Sequence, residues 1–256
     1  MRLQLTIEYD GTAFRGWAAQ PGMRTVEGSV RDALDKIFPR WESLAVAGRT
    51  DTGVHALANV ASVDVEGGPA GARVAEALNT ALPADVAVTD ARDAGPGFHA
   101  RFSARARSYR YRIWRPHVRS AFEHRRSWWL TRPLDLAVLQ RAAQQLVGEH
   151  DFRAFTPAGT HHQVFVRVVR TARWVDEGDV LSFEVTADSF LRHMVRTLVG
   201  TMIEGIDVGA LLDGARRDAA GQTAPPWGLY LVGVSYDPTG AEPTSQRPDK
   251  EGEGRR

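Results

Sequence analysis

Hydrophobic and polar residues alternate at the start of the chain, which predicts a β-strand over residues 2–9. The spacing then becomes helical over residues 25–38, where apolar residues recur every three or four positions. Further on, the pattern predicts two strands, a helix and a strand over residues 44–47, 55–65, 72–81 and 85–89. The first part of the chain therefore follows the order β-α-β-β-α-β.

The second part repeats this order of elements without repeating the sequence. It contains a predicted strand, helix, two strands, helix and strand over residues 107–114, 134–147, 164–175, 180–186, 190–206 and 229–236. A hairpin turn, Asp-Glu-Gly-Asp at 176–179, joins the middle two strands and supports antiparallel pairing. We predict an α+β fold of two RRM-like or ferredoxin-like halves that share a central antiparallel sheet, with a cleft between them.

Domain boundaries follow from the same patterns. An N-terminal α+β half, residues 1–104, carries the candidate site described below, and a C-terminal α+β half covers residues 105–237. Residues 238–256 are polar, contain proline, glycine and charges, and lack periodicity. We therefore predict a disordered tail.

Composition narrows the class of protein. With 256 residues and 43% hydrophobic content, the chain can bury a sizeable core. It has no cysteine, which excludes disulfides and thiolate chemistry, and its eight histidines lack the His-Glu-x-x-His spacing, so we expect no metal site. No apolar run reaches the roughly 18 to 20 residues that span a bilayer, and the N-terminus lacks a signal-peptide pattern. We expect a cytoplasmic protein without a membrane partner.

A net charge of +1 conceals a basic region. Residues 101–126 hold nine arginines and a single acid, Glu123. On the strand predicted there, Tyr109 and Tyr111 share one face, while Arg110 and Arg112 share the other. Aromatic rings that stack on bases and guanidinium groups that pair with phosphates are typical of RNA recognition. Half-buried sheet tyrosines beside a solvated arginine face explain the pattern equally well.

Residues 47–56, Ala-Gly-Arg-Thr-Asp-Thr-Gly-Val-His-Ala, form a tight connection between two predicted strands. Gly48 and Gly53 allow close approach of a backbone or a ligand, so they can present Asp51 in a cleft. A neighbouring guanidinium such as that of Arg49 favours the ionised form of a carboxyl group. An ionised, positioned aspartate serves as nucleophile or base, which makes Asp51 the candidate catalytic residue.

Three basic residues interrupt the apolar helix predicted at 190–206: Arg192, His193 and Arg196. A cation on an apolar helix is costly unless an anion pairs with it, and Asp51 is an unpaired anion. This predicts an ion pair between Asp51 and Arg196 across the cleft, whereas the alternative is an arginine that snorkels to the surface. A glycine-punctuated loop at residues 9–17 fits either a clamp on nucleic-acid backbone or a plain turn.

Two other functions fit part of this pattern. Asp-Thr-Gly at 51–53 matches the motif of aspartic proteases, in which two carboxylates share a proton. That site requires a second copy or a dimer of short all-β subunits, and the helical segments contradict it. The second alternative is a non-catalytic RNA-binding protein with RRM-like halves, in which Asp51 merely caps a turn.

Ordered motifs run from Leu3 to Tyr236. They are Tyr9-Asp10-Gly11, Gly16-Trp17, residues 47–56, Leu82-Pro83-x-Asp85, residues 98–104, Tyr109-Arg110-Tyr111, Gly148-x-x-Asp151-Phe152, Met194-Val195-Arg196 and residues 228–231. This series resembles the successive motifs of the tRNA pseudouridine synthase A (TruA) family. The resemblance implies an isomerase with a pseudouridine synthase fold, which converts uridine to pseudouridine at positions 38 to 40 of the tRNA anticodon stem-loop.

The same resemblance implies roles for four residues. Asp51 matches the catalytic aspartate, and Tyr109 matches the tyrosine that lies on the target base. Arg49 matches the arginine associated with base extrusion, and Arg196 matches the basic partner of the aspartate. It further implies a homodimer whose partner is tRNA and which needs no cofactor.

Overall fold

A computed structural model of the chain describes residues 1–71, 73–160 and 162–236. Its strands are β1 (Arg2–Tyr9), β2 (Arg40–Val46), β3 (His55–Glu66), β4 (Val86–Asp93), β5 (Ala106–Trp114), β6 (Trp128–Trp129), β7 (Gly148–Asp151), β8 (Val166–Glu177), β9 (Val180–Ala187) and β10 (Leu229–Ser235). Its α-helices are α1 (Val26–Ile37), α2 (Arg73–Ala81), α3 (Leu136–Gln145) and α4 (Met194–Glu204). The tail predicted to be disordered, residues 238–256, lies outside the described residues.

The strands form one sheet in the order β4-β1-β3-β10-β5-β9-β8-β7, with β2 paired to β3 and β6 paired to β5. The first half has the order β4-β1-β3-β2 and the second half has β10-β5-β9-β8. When strands are numbered within each half, both orders are 4-1-3-2. The structure confirms the α+β class and the two β-α-β-β-α-β halves.

The halves join along one edge of β3. Near its start, β3 pairs in parallel with β10 at His55 and Ala56. Further along the same strand, residues 61–66 pair antiparallel with β2. The residues between β2 and β3 therefore emerge at the junction of the two halves, which places the Asp51 loop there.

Local sequence explains the helix positions. Thr25 caps α1 by accepting a hydrogen bond from the Gly28 backbone, and Asp135 caps α3 by accepting from two backbone amides. The apolar stripe of α1, which includes Val30 and Leu34, is buried against the sheet. None of the helices in the described ranges has the length and apolar character needed to cross a membrane.

One predicted helix begins later than its apolar pattern indicates. Residues 190–193 are not helical, because His193 has a φ of +62° and α4 starts at Met194. The prediction of a helix from residue 190 was therefore wrong over its first turn. Phe190 instead packs edge-on against the ring of Tyr109, with a centroid distance of 5.0 Å.

Candidate active site

The loop that carries Asp51 is fixed by side chains of the sheet. Asn59, on β3, donates a hydrogen bond to the Gly48 carbonyl at 2.8 Å. The hydroxyl groups of Tyr9 and Thr50 are hydrogen-bonded at 2.7 Å, which ties the residue before Asp51 to β1. These contacts hold the backbone of the loop, and a rigid support is what a reactive group needs.

The loop after β1 braces the Asp51 loop from the other side. The Trp17 amide donates to the Thr50 carbonyl at 3.0 Å, and the Gly53 amide donates to the Phe14 carbonyl at 3.3 Å. Gly16 has a φ of +91°, and a Cβ there would lie 2.7 Å from the Thr50 carbonyl oxygen. Only glycine allows the two backbones to approach this closely. Gly16 therefore lets this loop support the backbone beside Asp51.

Arg196 and His193 both contact the Asp51 carboxylate. Arg196 Nη1 lies 3.3 Å from Asp51 Oδ2, and His193 Nε2 lies 3.4 Å from the same oxygen. The Arg196 guanidinium is itself fixed, because its Nε donates to the Ala224 carbonyl at 2.8 Å. The ion pair expected from the sequence is present, and the Asp51 side chain remains 31% exposed. The carboxylate is both held and accessible.

Asp51 lies in a cleft of about 610 Å³ with basic walls. Arg49 and Arg196, two of the predicted site residues, line this cleft with Asp51. Arg49 is exposed, and no ion pair between it and Asp51 occurs in the described part of the chain. The guanidinium beside the carboxylate is therefore that of Arg196, not that of the sequence neighbour Arg49.

Two cations of the cleft wall were not among the predicted site residues. Arg15, from the loop after β1, and Arg192, from the segment before α4, line the cleft and are exposed. Arg192 and His193 were identified as interruptions of an apolar run, whereas the only signal for Arg15 was its place in the glycine-punctuated loop at 9–17. The cleft combines one carboxylate with several cations, a combination suited to reaction on a polyanionic substrate.

Tyr109 lies beneath the Asp51 loop, and its side chain is not part of the described cleft lining. It is 8% exposed, and its hydroxyl is 3.6 Å from the position that a Cβ on Gly48 would take. Burial, together with the nearby Tyr9 and Asp51, raises the pKa of the Tyr109 phenol well above its ordinary value of 10. The hydroxyl therefore stays protonated at neutral pH.

Four of the nine arginines at 101–126 form ion pairs with carboxylates of the fold. Arg110 pairs with Glu184 at 2.8 Å, and Arg112 pairs with Glu123 at 3.0 Å. The other internally bound arginines of the segment are Arg107 on backbone carbonyls, Arg115 on Asp176 and Arg126 on Asp10. The alternation predicted for this strand is confirmed, since Tyr109 and Tyr111 are buried while Arg110 and Arg112 are partly exposed. Much of this positive charge stabilises the sheet and is not free for phosphates.

A buried histidine joins the two halves behind the site. His55 Nδ1 accepts a hydrogen bond from the Gly11 amide at 3.1 Å, and Nε2 lies 2.9 Å from the Arg125 carbonyl. Its ring stacks on Tyr230 of β10, with a centroid distance of 4.6 Å. Burial lowers the pKa of His55 below its usual 6.5, although nearby Asp10 opposes the shift. The neutral ring donates through Nε2 and accepts through Nδ1.

Known proteins match both halves of this chain. Residues 5–103 and 142–237 match the family model described as tRNA pseudouridine synthase. The chain is 39% identical over 245 residues to tRNA pseudouridine synthase A of Brucella ovis, a match that covers 92% of this chain and 98% of that protein. The protein of the same name from Brucella canis matches with the same values.

Among solved structures, the chain is similar to one described as a Cbf5-Nop10-Gar1 complex. That likeness covers 90% of this chain and 48% of that chain, with 13% identity and a TM-score of 0.38. The family match is much stronger, since it spans both halves and includes the residues that build the cleft around Asp51. On this match and the 39% identity, the chain belongs to the tRNA pseudouridine synthase family.

Proposed function

We propose that this isomerase converts uridine to pseudouridine at positions 38 to 40 of the tRNA anticodon stem-loop, with Asp51 as its catalytic residue. Family membership gives the enzyme class, a synthase that acts on tRNA. The observation that carries the assignment of the site is the geometry of Asp51. Its carboxylate is 31% exposed in a basic cleft, while Arg196 contacts one oxygen at 3.3 Å.

The chemistry is a rearrangement within one nucleotide. The N1–C1′ glycosidic bond breaks, the uracil turns while it stays bound, and a C5–C1′ bond forms. C5 then loses a proton and N1 gains one. The product is therefore an isomer of the substrate, and the reaction needs no electron carrier. An ionised Asp51 serves this reaction either by adding to C6 of the ring or by acting at C1′ and the 2′ position.

The target nucleotide must leave the base stack before Asp51 can reach it, at a cost of a few kcal/mol. Following the family resemblance, we assign Tyr109, which borders the Asp51 loop, as the ring on which the extruded uracil lies. Because this ring is 8% exposed, it must become accessible as the base enters, and base stacking contributes about 1–3 kcal/mol. Arg49 is exposed in the cleft wall, a position that suits a side chain entering the gap left by the base. Arg15 and Arg192 are suited to the flanking phosphates.

We further propose that the enzyme works as a homodimer in the cytoplasm. Resemblance to the family supports the dimer, and the tRNA substrate class supports the location. Light scattering on the purified protein, with and without tRNA, measures the mass in solution. A monomer under both conditions would overturn the dimer and leave the proposed chemistry standing.

Tritium release from tRNA labelled at C5 of uridine tests the reaction directly. We expect release from wild type but not from Asp51→Asn, while filter binding shows tRNA affinity within about twofold for both. Asp32→Asn makes the same change on an exposed residue of α1 and should behave as wild type. Binding without release by the wild-type protein would favour the non-catalytic RNA-binding alternative.

The same assay with a second tRNA tests which uridines are modified. A tRNA whose residues 38 to 40 carry no uridine should bind but release no tritium. Release from such a tRNA at the wild-type rate would contradict the proposed positions while keeping the enzyme class.

A further inference from the structure

His193 adopts a strained backbone conformation beside Asp51. Its φ of +62° lies in the left-handed region, which among the described non-glycine residues is shared only by Ser43 and Arg125. Such a conformation is energetically unfavourable for a residue with a side chain and persists where the surroundings impose it, often at functional sites. Here the backbone places the imidazole Nε2 3.4 Å from Oδ2 of Asp51.

Arg196 contacts the same carboxylate oxygen. Its Nη1 is 3.3 Å from Oδ2, so two side chains from one short segment approach a single atom of Asp51. In the part of the chain that the structure describes, no hydrogen bond reaches Oδ1. A partial rotation of the carboxylate would lengthen both contacts on Oδ2. This arrangement leaves Oδ1 as the oxygen available to a substrate.

We propose that His193 is a positioning residue for the pseudouridine reaction, whose imidazole donates Nε2–H toward Oδ2 of Asp51 and thereby orients Oδ1 toward the target uridine. The inference rests on the proposed function of Asp51. His193 acts through the carboxylate and not on the substrate. The role requires a donor without a positive charge, since Arg196 already supplies one cation at Oδ2.

The charges around His193 favour this neutral form. Asp51 faces it from the loop between β2 and β3, while Arg192, Arg196 and Arg217 face it from its own segment, from α4 and from the short helix Arg217–Ala219. Burial lowers the pKa of His193 below its usual 6.5, and the three guanidinium groups lower it further against the opposing effect of Asp51. Together these effects favour the uncharged ring at neutral pH.

Protonation of His193 should therefore impair the reaction. A second cation at Oδ2 would stabilise the negative charge of Asp51 and so weaken it as nucleophile or base. We expect turnover to decline as the pH falls below about 6.5. Wild-type kcat, measured by tritium release across this range, gives the profile against which variants are compared.

Two substitutions of His193 separate its role in orienting the Asp51 carboxylate from the effect of its own protonation. His193→Gln keeps a long side chain that donates a hydrogen bond but does not titrate, so kcat near neutral pH should stay within about threefold of wild type. Its decline in acid should shift to lower pH. His193→Asn tolerates the left-handed backbone but is too short to reach Oδ2, so kcat should fall about 10- to 100-fold with little change in KM for tRNA. Wild-type kcat in His193→Asn, or the unshifted acid decline in His193→Gln, would overturn the proposal.

A measurement without turnover tests the contact itself. NMR titration of the histidine rings in labelled protein should place the His193 midpoint at lower pH in Asp51→Asn than in wild type, because the carboxylate charge raises its pKa. The exposed His124 serves as the control ring. An unchanged titration midpoint of His193 in Asp51→Asn would contradict the positioning role. Absence of tritium release from wild type would instead count against the proposed function, so the two failures are distinct.

Discussion

Gly200 of α4 lies so close to the backbone of Gln222 that a Cβ on the glycine would be 1.7 Å from the Gln222 carbonyl oxygen. The same segment forms two hydrogen bonds with Arg196, one turn earlier on the helix. The Ala224 amide donates to the Arg196 carbonyl at 3.1 Å, and Arg196 Nε donates to the Ala224 carbonyl at 2.8 Å. The missing side chain at Gly200 is therefore what lets residues 222–224 fix the guanidinium that faces Asp51.

Gly200→Ala should be destabilising and should reduce turnover. In an ordinary helix interior this change stabilises by up to about 1 kcal/mol. Here, however, the added methyl group would clash with the Gln222 backbone, which is held in place by its neighbours. Overpacking of this kind costs about 1–3 kcal/mol, so the net effect is a loss. Thermal unfolding should show a Tm lower by several degrees, and tritium release should show a lower kcat.

Gly97→Ala is the matched control, because nothing lies within 4 Å of a Cβ at that position. It should leave stability within about 0.5 kcal/mol of wild type. If Gly200→Ala proved as stable and as active as wild type, the contact between α4 and residues 222–224 would not position Arg196.

Arg196→Lys keeps the positive charge but should lose most activity. A lysine ammonium is a point donor, whereas the Arg196 guanidinium contacts Asp51 and the Ala224 carbonyl at once through different nitrogens. We expect kcat for tritium release to fall about 10- to 100-fold while tRNA affinity changes little. Arg31→Lys makes the same change in a partly exposed pair with Glu27, far along the chain from Asp51, where the effect on turnover should be small. Equal kcat for Arg196→Lys and wild type would contradict the role of the guanidinium.

Tyr109 offers a ring and a hydroxyl whose contributions can be separated. Burial raises the pKa of the phenol well above 10, so the group is not a base at neutral pH. Tyr109→Phe should therefore keep kcat/KM within about tenfold of wild type. Tyr109→Leu removes the stacking surface, which contributes about 1–3 kcal/mol, or roughly 5- to 150-fold in kcat/KM. A larger loss in the phenylalanine variant than in the leucine variant would assign the chemistry to the hydroxyl instead.

Much of the fold could be predicted from the sequence because its longest elements are periodic. Alternation predicted β1 with its observed limits, and the helical stripe at 25–38 predicted α1, which Thr25 caps. Two short strands, β6 and β7, were missed because two or four residues are too few to show alternation. These strands form because they pair with neighbouring strands, and the local sequence pattern does not reveal that pairing.

The candidate site was predicted in part. The contact of Arg196 with Asp51 followed from the cost of an unpaired cation on an apolar helix, a rule that does not depend on the fold. The place of Arg15 did not follow, because the loop after β1 reaches the cleft only through tertiary contacts. The ion pairs of Arg110 and Arg115 show the same limit, since Glu184 and Asp176 lie far along the sequence.

His55 predicts how stability depends on pH. The buried ring has its pKa lowered below 6.5 in the folded protein, whereas in the unfolded chain it binds a proton near 6.5. As the pH falls below about 6.5 the unfolded state gains a proton that the folded state does not, so the free energy of unfolding decreases. One such proton contributes a slope of at most about 1.4 kcal/mol per pH unit, until the pH reaches the folded-state pKa. The contribution of His55 is fully present above pH 6.5 and is lost toward lower pH.

His55→Gln should flatten that slope while lowering stability at neutral pH. The variant loses the ring stacked on Tyr230 and the bond from the Gly11 amide, at a cost of about 1–3 kcal/mol, but it no longer takes up a proton on unfolding. Urea unfolding between about pH 8 and pH 5.5 measures both effects. Part of the slope should remain, because the pKa of His193 is also lowered by burial. His124→Gln, on an exposed side chain, should keep the wild-type curve, and a wild-type slope in His55→Gln would show that another group drives the acid loss.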